Sequence, residues 1–402
     1  MYIRRILAIT MLTVFYGLAL FVAKIFGHPN AKPSATKKIL VVGTFHNPNW
    51  FLAHITPLVK TGVAEIILVA DGYVAPMDGV RHVMPPSWAC RIFSRAGAKF
   101  FWAVGSAYRF RPDMYMGYAI FPGATISLVL GRIFRRPCCF QLTSGQLELA
   151  GGGYAAENRI LAALGWPSMW IEKLAFALTR QFELMIVRGR LAEEYVRELG
   201  YSGAIEVVTG SVDVPTEVSA LDERPIDIIF VGRLTERKRP LDFVEVVARV
   251  REQLPEVRAL VVGDGPDKTS IENEIEKRNL GRNITLAGVR SDVLTLLDQS
   301  KLFVLTSRWE GLSIAMMEAM ASGCVPVCSR VGDLEDLLKD NDNGYLLPVG
   351  DVPAFVDKVL YLLTNNEEWS LFSKRSMLSA VNKVSRDAIA ARWREILLRH
   401  IK

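Results

Sequence analysis

Ser307-Arg308-Trp309-Glu310-Gly311-Leu312-Ser313-Ile314-Ala315-Met316-Met317-Glu318-Ala319-Met320-Ala321-Ser322-Gly323 is the stretch on which the fold turns. The apolar run 302–305 ahead of it reads as a buried strand, Gly311 breaks that strand, and 313–321 is rich in helix formers with Gly323 as a stop. A strand, turn and helix in this order aim free backbone N–H groups and the positive end of the helix at one spot, which suits a phosphate. Glu318 stands about 7 Å along the helix axis, far enough to reach past a diphosphate held at the turn. Glu310 lies on the other side of that turn. Two carboxylates bracketing an anion site fit an anion with a sugar at each end, one carboxylate accepting from ribose hydroxyls and the other from the second sugar. In isolation, a helix cap at Glu310 and a solvated residue at Glu318 would read the same way.

Working outward, 226–232 is a new first strand behind the polar stretch Asp222-Glu223-Arg224-Pro225, which reads as a hinge. After that strand come Arg233 and Lys238. Basic side chains at the carboxyl end of a buried strand can neutralise the charge that develops on a diphosphate leaving group without a metal. A second strand ends in the turn Gly263-Asp264-Gly265, and Ile284-Thr285-Leu286-Ala287-Gly288-Val289-Arg290 follows. Short strands at 325–327 and 344–347 and an amphipathic helix at 352–363 continue the alternation.

Taken together, Glu310-x7-Glu318, the Gly232-Arg233-Leu234 to Lys238 element, the Gly263 turn and 284–293 resemble glycosyltransferase family 4, the retaining nucleotide-sugar transferases of GT-B fold. The resemblance implies an α/β protein of two Rossmann-like, doubly wound parallel-sheet domains facing a cleft. It implies donor contacts from Gly232, Arg233, Lys238, Gly263, Asp264, Val289, Arg290, Glu310, Gly311, Leu312, Ser313 and Glu318, with Val289 and Arg290 near the base. Glu310, Arg233 and Lys238 are then the catalytic set of a hexosyltransferase. The departing diphosphate, held by Arg233, Lys238 and the 311–313 amides, helps take the proton from the attacking hydroxyl on the same face of the sugar. Glu310 orients the transferred sugar and Glu318 the ribose. No metal and no other cofactor is implied, the nucleotide-diphosphate sugar being a co-substrate.

In the first half, strand-like runs at 38–43, 65–69, 114–118, 137–142, 184–187 and 205–208 alternate with helical patterns, as an open doubly wound sheet requires. The apolar stretch 116–134 is interrupted by Pro122, Gly123 and Gly131 and reads as a core helix of the sheet. Thr143, Ser144 and Gly145 stand at a strand end and, with His46, are the candidates for an acceptor or cleft loop. Family 4 members often carry a glycine-rich loop after the first strand and a histidine later in this domain. This chain has Gly43-Thr44-Phe45-His46 and Thr143-Ser144 at those places.

Composition bounds the rest. The 402 residues, half apolar and 22% charged with a net charge of +6, give room for two cores and exclude a disordered chain. An apolar run opens at Ile6 and closes at Ala23 between Arg4-Arg5 and Lys24, long enough for an uncleaved membrane anchor. The excess of lysines after it places the catalytic domains on the cytoplasmic face, and the sequon at Asn283, inside a strand-like run, fits that placement. From Arg81 to Arg136 nine basic residues stand against the single acid Asp113, interleaved with aromatics, which suits an anionic membrane surface. Nucleic-acid motifs do not accompany the patch. The five cysteines lack paired metal-ligand spacing and read as buried free thiols.

The domain reading is a membrane or signal-anchor helix at 1–27, a linker at 28–37, an acceptor domain at 38–218, a nucleotide-sugar domain at 219–380, and a final helix at 381–402 crossing back to the first domain. The function expected is sugar transfer from a nucleotide-diphosphate sugar to a lipid-linked or cell-envelope glycan acceptor. The alternatives are a GT-B transferase or epimerase acting on a soluble small molecule, and a catalytically silent nucleotide-sugar binder.

Overall fold

Runs of Val, Ile and Leu buried on both faces are what parallel sheets demand, and the chain builds two such sheets. The structure is a computed structural model that describes residues 2–27, 37–45, 48–71, 76–156 and 158–401. His46 and the linker at 28–36 lie outside the described residues. Two units are distinguished, Met1–Gly210 with Ile389–Lys402, and Ser211–Ala388.

The first unit holds a seven-stranded sheet of β1 (Lys38–Thr44), β2 (Glu65–Asp71), β3 (Val80–Val83), β4 (Met114–Tyr118), β5 (Cys138–Gln141), β6 (Leu184–Val187) and β7 (Ala204–Val207). All its neighbours pair in parallel, in the order β3-β2-β1-β4-β5-β6-β7. Its helices are α1 (Tyr2–Phe26), α2 (Pro48–Lys60), α3 (Ser87–Phe110), α4 (Thr125–Phe134), α5 (Arg159–Ala162), α6 (Met169–Thr179) and α7 (Arg190–Glu198). Leu40, Tyr115 and Cys138 are register neighbours and therefore point to one face. That face is covered by α3, α4 and α6, with α1 packed on α4 and α6. The opposite face, with Ile39, Met114 and Cys139, is covered by α2 and by Trp393, Ile396 and Leu397 of the last helix.

The second unit holds β8 (Ile226–Val231), β9 (Ala259–Val262), β10 (Ile284–Gly288), β11 (Ser300–Leu305), β12 (Val325–Ser329) and β13 (Tyr345–Leu347), in the order β10-β9-β8-β11-β12-β13 and all parallel. Helices α8 (Pro240–Gln253), α9 (Lys268–Lys277), α10 (Val293–Asp298), α11 (Ile314–Ala321), α12 (Val352–Thr364) and α13 (Asn366–Val384) complete it. Each sheet contains the 3-2-1-4-5-6 order, so each has a switch point where the winding reverses, and ligands bind such sheets outside the carboxyl ends of the strands there. In the second unit the switch lies between β8 and β11.

Several sequence expectations change. The stretch 116–134 is not one helix: β4 runs to Tyr118, an irregular turn follows at Ala119–Ala124, and only then does α4 begin. Backbone packs too closely there for a regular helix, since a Cβ on Gly123 would fall 2.2 Å from Tyr118 O. The short edge strand β3 was not foreseen. The last helix, α14 (Arg386–His400), starts later than 381 because α13 continues to Val384; the chain re-enters the first unit at Ile389, where Arg392 and Arg399 grip Glu206 at 2.7 and 2.5 Å.

Residues 222–225 are not a free hinge either. The Arg224 guanidinium is buried and donates to Ser219 O, Leu297 O, Ser300 O and Ser322 O, the last at 2.8 Å at the carboxyl end of α11. A cation there satisfies orphan carbonyls and complements the helix dipole. The basic stretch 81–136 is in part internal: Lys99 and Arg132 are buried against Asp71 and Glu183, while Arg81 and Arg136 pair with Glu65 and Asp113. The free thiols expected from the sequence are found, four of the five buried. Asn283 is also buried, its amide donating to Pro255 O and Val257 O at 2.9 Å.

Candidate active site

The loops beyond β8, β9 and β10 are laced together by their backbones. Gly232 N donates to Val262 O, Leu234 N to Asp264 O and Gly263 N to Gly288 O, at 3.0, 3.0 and 2.8 Å. A Cβ on Gly263 would fall 1.9 Å from Gly232 O, and one on Gly265 2.1 Å from Leu234 O, so only glycine permits this approach. Across the switch point, Thr306 Oγ1 donates to Arg239 O at 2.9 Å and Arg308 N to Arg237 O at 2.8 Å. The two loops that carry the expected clamp are thus fixed to each other by the main chain.

On this frame Lys238 passes over Gly232 and its Nζ meets Glu310 Oε1 at 2.5 Å, with both side chains nearly buried. Two residues that the sequence assigned to phosphate and sugar are therefore paired with each other. Arg233, in contrast, is exposed and has no acidic partner among the described residues. The Glu310–Gly311 turn is buttressed from behind by Gly332, whose Cβ would lie 2.0 Å from Glu310 O, and by Asp333 N donating to Gly311 O at 3.2 Å.

Ser313, not Glu310, caps α11, its Oγ accepting from Met316 N at 3.3 Å. The amides of Gly311 and Leu312 donate to no protein acceptor among the described residues. They stand at the positive end of a helix, the arrangement that attracts phosphate oxygens. Glu318 is half-buried in α11 with no hydrogen-bond partner among the described residues. Burial, and secondarily the Asp213 carboxylate, push its carboxyl up to about 7. At the third corner Val289 is 78% exposed, while Arg290 is held by Asp292 at 2.8 and 2.6 Å. Asp264 Oδ1 accepts from Gly265 N at 2.9 Å and shapes its own turn.

The carboxyl edge of the first sheet is organised differently. Thr143 N, Thr143 Oγ1 and Ser144 N donate to Glu148 Oε2, and Ile120 N donates to Glu148 Oε1, so one buried carboxylate ties the loops after β4 and β5. Burial raises the Glu148 carboxyl and these hydrogen bonds offset part of the rise. Gly145 follows in the left-handed region. Asp71 and Thr44, at the ends of β2 and β1, both bond the buried Lys99 Nζ. Burial opposes the Asp71 charge, but the Lys99 ammonium outweighs it and holds the carboxyl below its usual range. Arg188, after β6, donates to Val208 O and Gln141 Oε1. Near it His54 of α2, unnoticed in the sequence, is kept neutral by burial and by Arg188. Among the described residues, no three His, Cys, Asp or Glu side chains group as a metal site would need.

Residues 215–378 match the family model described as "Glycosyl transferases group 1". This stretch, most of the second unit, is similar to the group 1 glycosyl transferases. A curated relative of this transferase is the UDP-Gal:alpha-D-GlcNAc-diphosphoundecaprenol alpha-1,3-galactosyltransferase of Escherichia coli, 28% identical over 64% of the chain and 71% of the relative. Another is the poly(ribitol-phosphate) alpha-N-acetylglucosaminyltransferase of Staphylococcus aureus, 30% identical over 40% of the chain and only 33% of the relative's length. Among solved structures, Anabaena Alr3699/HepE in complex with UDP superposes with a TM-score of 0.71 at 15% identity, over 90% of this chain and 100% of that one. The fold is GT-B, two Rossmann-like parallel-sheet domains, as the resemblance implied.

Proposed function

We propose that this transferase moves a sugar, with retention of configuration and without a metal, from a nucleoside-diphosphate sugar to a lipid-linked or cell-envelope glycan acceptor. The observation that carries the reading is the Lys238–Glu310 pair at the edge between β8 and β11, with Arg233 on the loop after β8 and the Gly311 and Leu312 amides and Glu318 after β11 all lacking a partner among the described residues. A diphosphate arriving there competes with Glu310 for the Lys238 ammonium. The two phosphates then take Lys238, Arg233 and the helix end, and Glu310 is freed to accept from hydroxyls of the donor sugar. Departure of the diphosphate builds negative charge where these groups stand, and stabilising that charge is the main catalytic effect. Two cations and a helix end can do this without an ion. Glu318 takes the ribose, and the Gly288–Val289 corner of β10 takes the base through its main chain.

The acceptor class is supported by the names of two relatives, which specify an undecaprenol-linked sugar and a poly(ribitol-phosphate). Thr143, Ser144 and Gly145 are proposed to border the acceptor, with Glu148 holding them in place. Attachment to a membrane through α1, with the transferase on the cytoplasmic side, agrees with these acceptors and with the buried Asn283 amide. Calorimetric titration with a panel of nucleoside diphosphates, followed by transfer assays from the sugars of whichever binds, tests the reading. A protein that binds none of the panel would refute it.

A further inference from the structure

Helix α1 is the one described helix long and apolar enough to cross a bilayer, yet it is fastened along its length to the first unit. Ala8, Leu12, Tyr16, Ala19 and Ala23 form a single stripe, buried against α4 and α6. Near the start, Arg5 donates to Leu164 O, Trp166 O and Pro167 O at 2.5, 2.7 and 3.1 Å, and its guanidinium lies 4.0 Å from the Trp166 ring. Midway, Thr13 Oγ1 accepts from Trp170 Nε1 at 3.0 Å and Phe15 meets Phe121 edge-on. The stripe runs about 22 Å of helix, against a hydrocarbon core of about 30 Å. If α1 crossed the bilayer with these contacts intact, α6 with Glu172 and the exposed Lys173 would have to enter hydrocarbon. A charge at its centre costs about 3 kcal/mol or more. Docking and crossing are mutually exclusive.

The opposite side of α1 shows where lipid fits. Leu7, Met11, Val14, Leu18, Phe21 and Ile25 are exposed at helical spacing on one face, an unbroken apolar strip of the kind that marks an interaction surface. Helix α3 lies on the same side of the sheet, with Trp88, Phe93, Phe101 and Tyr108 exposed. Arg4, Arg91, Arg95, Arg109, Arg111 and Arg135 are exposed without an acidic partner among the described residues. Apolar groups rimmed by unpaired arginines match an acyl boundary beneath anionic headgroups.

We propose that α1 does not span the membrane but lies in its plane, docked on the first unit, and with α3 forms a face that seats the transferase on an anionic bilayer. This rests on the membrane part of the proposed function and fixes its geometry. The test uses the full chain with its half-buried Cys90 replaced by Ser, mixed with preformed sealed vesicles of phosphatidylglycerol or of phosphatidylcholine, and carrying Tyr2→Cys or Lys24→Cys. The protein is expected to float with phosphatidylglycerol vesicles, and both cysteines should react with a membrane-impermeant maleimide added outside. Protection of either cysteine until detergent is added would mean a spanning helix and overturn the proposal. Val14→Glu with Leu18→Glu, both on the exposed face, should cut the floated fraction about tenfold or more, with melting temperature and nucleotide binding unchanged. Equal flotation of that variant, or a wild type that floats with neither lipid and self-associates through α1 instead, would also overturn it. Nucleotide binding on the same samples separates this failure from failure of the transferase reading.

Discussion

The two sheets share a strand order but treat their carboxyl edges in opposite ways. In the first unit the charged groups there bond largely within the fold, Glu148 to the loops after β4 and β5, Asp71 to Lys99 and Thr44, and Arg188 to Gln141 and Val208, although Arg188 Nε, His54 Nδ1 and Tyr118 OH are buried without a partner among the described residues. In the second, among the described residues, the side chains of Arg233 and Glu318 and the amides before α11 have no partner, and the Lys238 ammonium has only Glu310. Buried polar groups satisfied by one another hold a shape, whereas unsatisfied ones are poised for a ligand. The same architecture thus supplies a stiff platform in one unit and a charged grip in the other.

Replacing the grip should cost the most activity. Lys238→Ala is expected to lower kcat/KM by more than about tenfold, measured by transfer from the donor identified in the titration panel. Wild-type turnover would dissolve the contrast between the sheets. Glu310→Gln sharpens it, because removing the competing charge should tighten nucleoside-diphosphate binding by about three- to tenfold while turnover falls. A Glu310 that served only as scaffold would not tighten anything.

Replacing the platform should act on stability instead. Arg224→Ala, which strips a buried cation from four carbonyls, is expected to cost about 2–5 kcal/mol by denaturant unfolding. Glu148→Gln should cost about 1–3 kcal/mol and leave nucleotide affinity alone.

The smallest effect concerns pH. Glu318, raised to about 7 from an ordinary 4.5, binds its proton more tightly folded than unfolded. Its contribution to stability is therefore complete below pH 4.5 and is lost as pH rises through about 7. Donor hydroxyls require the ionised form, so affinity should rise a few-fold between about pH 6 and 8, and Glu318→Gln should flatten that rise. A wild-type profile flat over this interval would remove Glu318 from the ribose.

The strand, turn and helix around Gly311 were readable because each has a local signal: an apolar run, a breaker, a set of helix formers. The order of motifs carried the fold for the same reason. What escaped was pairing at a distance. Arg224 and Glu148 look like surface charges in sequence, and only the fold brings carbonyls and amides to them. Nothing local announces that Lys238 meets Glu310, or that Gly332 supports the turn. Strand β3, with Arg81 and His82 among its four residues, has too little apolar content to register. Helix α1 reads as a span in sequence because a docked helix and a crossing one share a composition, and its buried stripe against α4 and α6 becomes visible only in the fold.

The central claim, that the second sheet's edge holds the donor by its diphosphate, is tested most directly by calorimetry with the nucleoside diphosphate that binds the wild type. Arg233→Ala, an exposed residue whose loss leaves the fold alone, should weaken the dissociation constant about tenfold or more, and Glu148→Gln should leave it unchanged. Equal affinity in wild type and Arg233→Ala, or a larger loss in Glu148→Gln, would contradict the account.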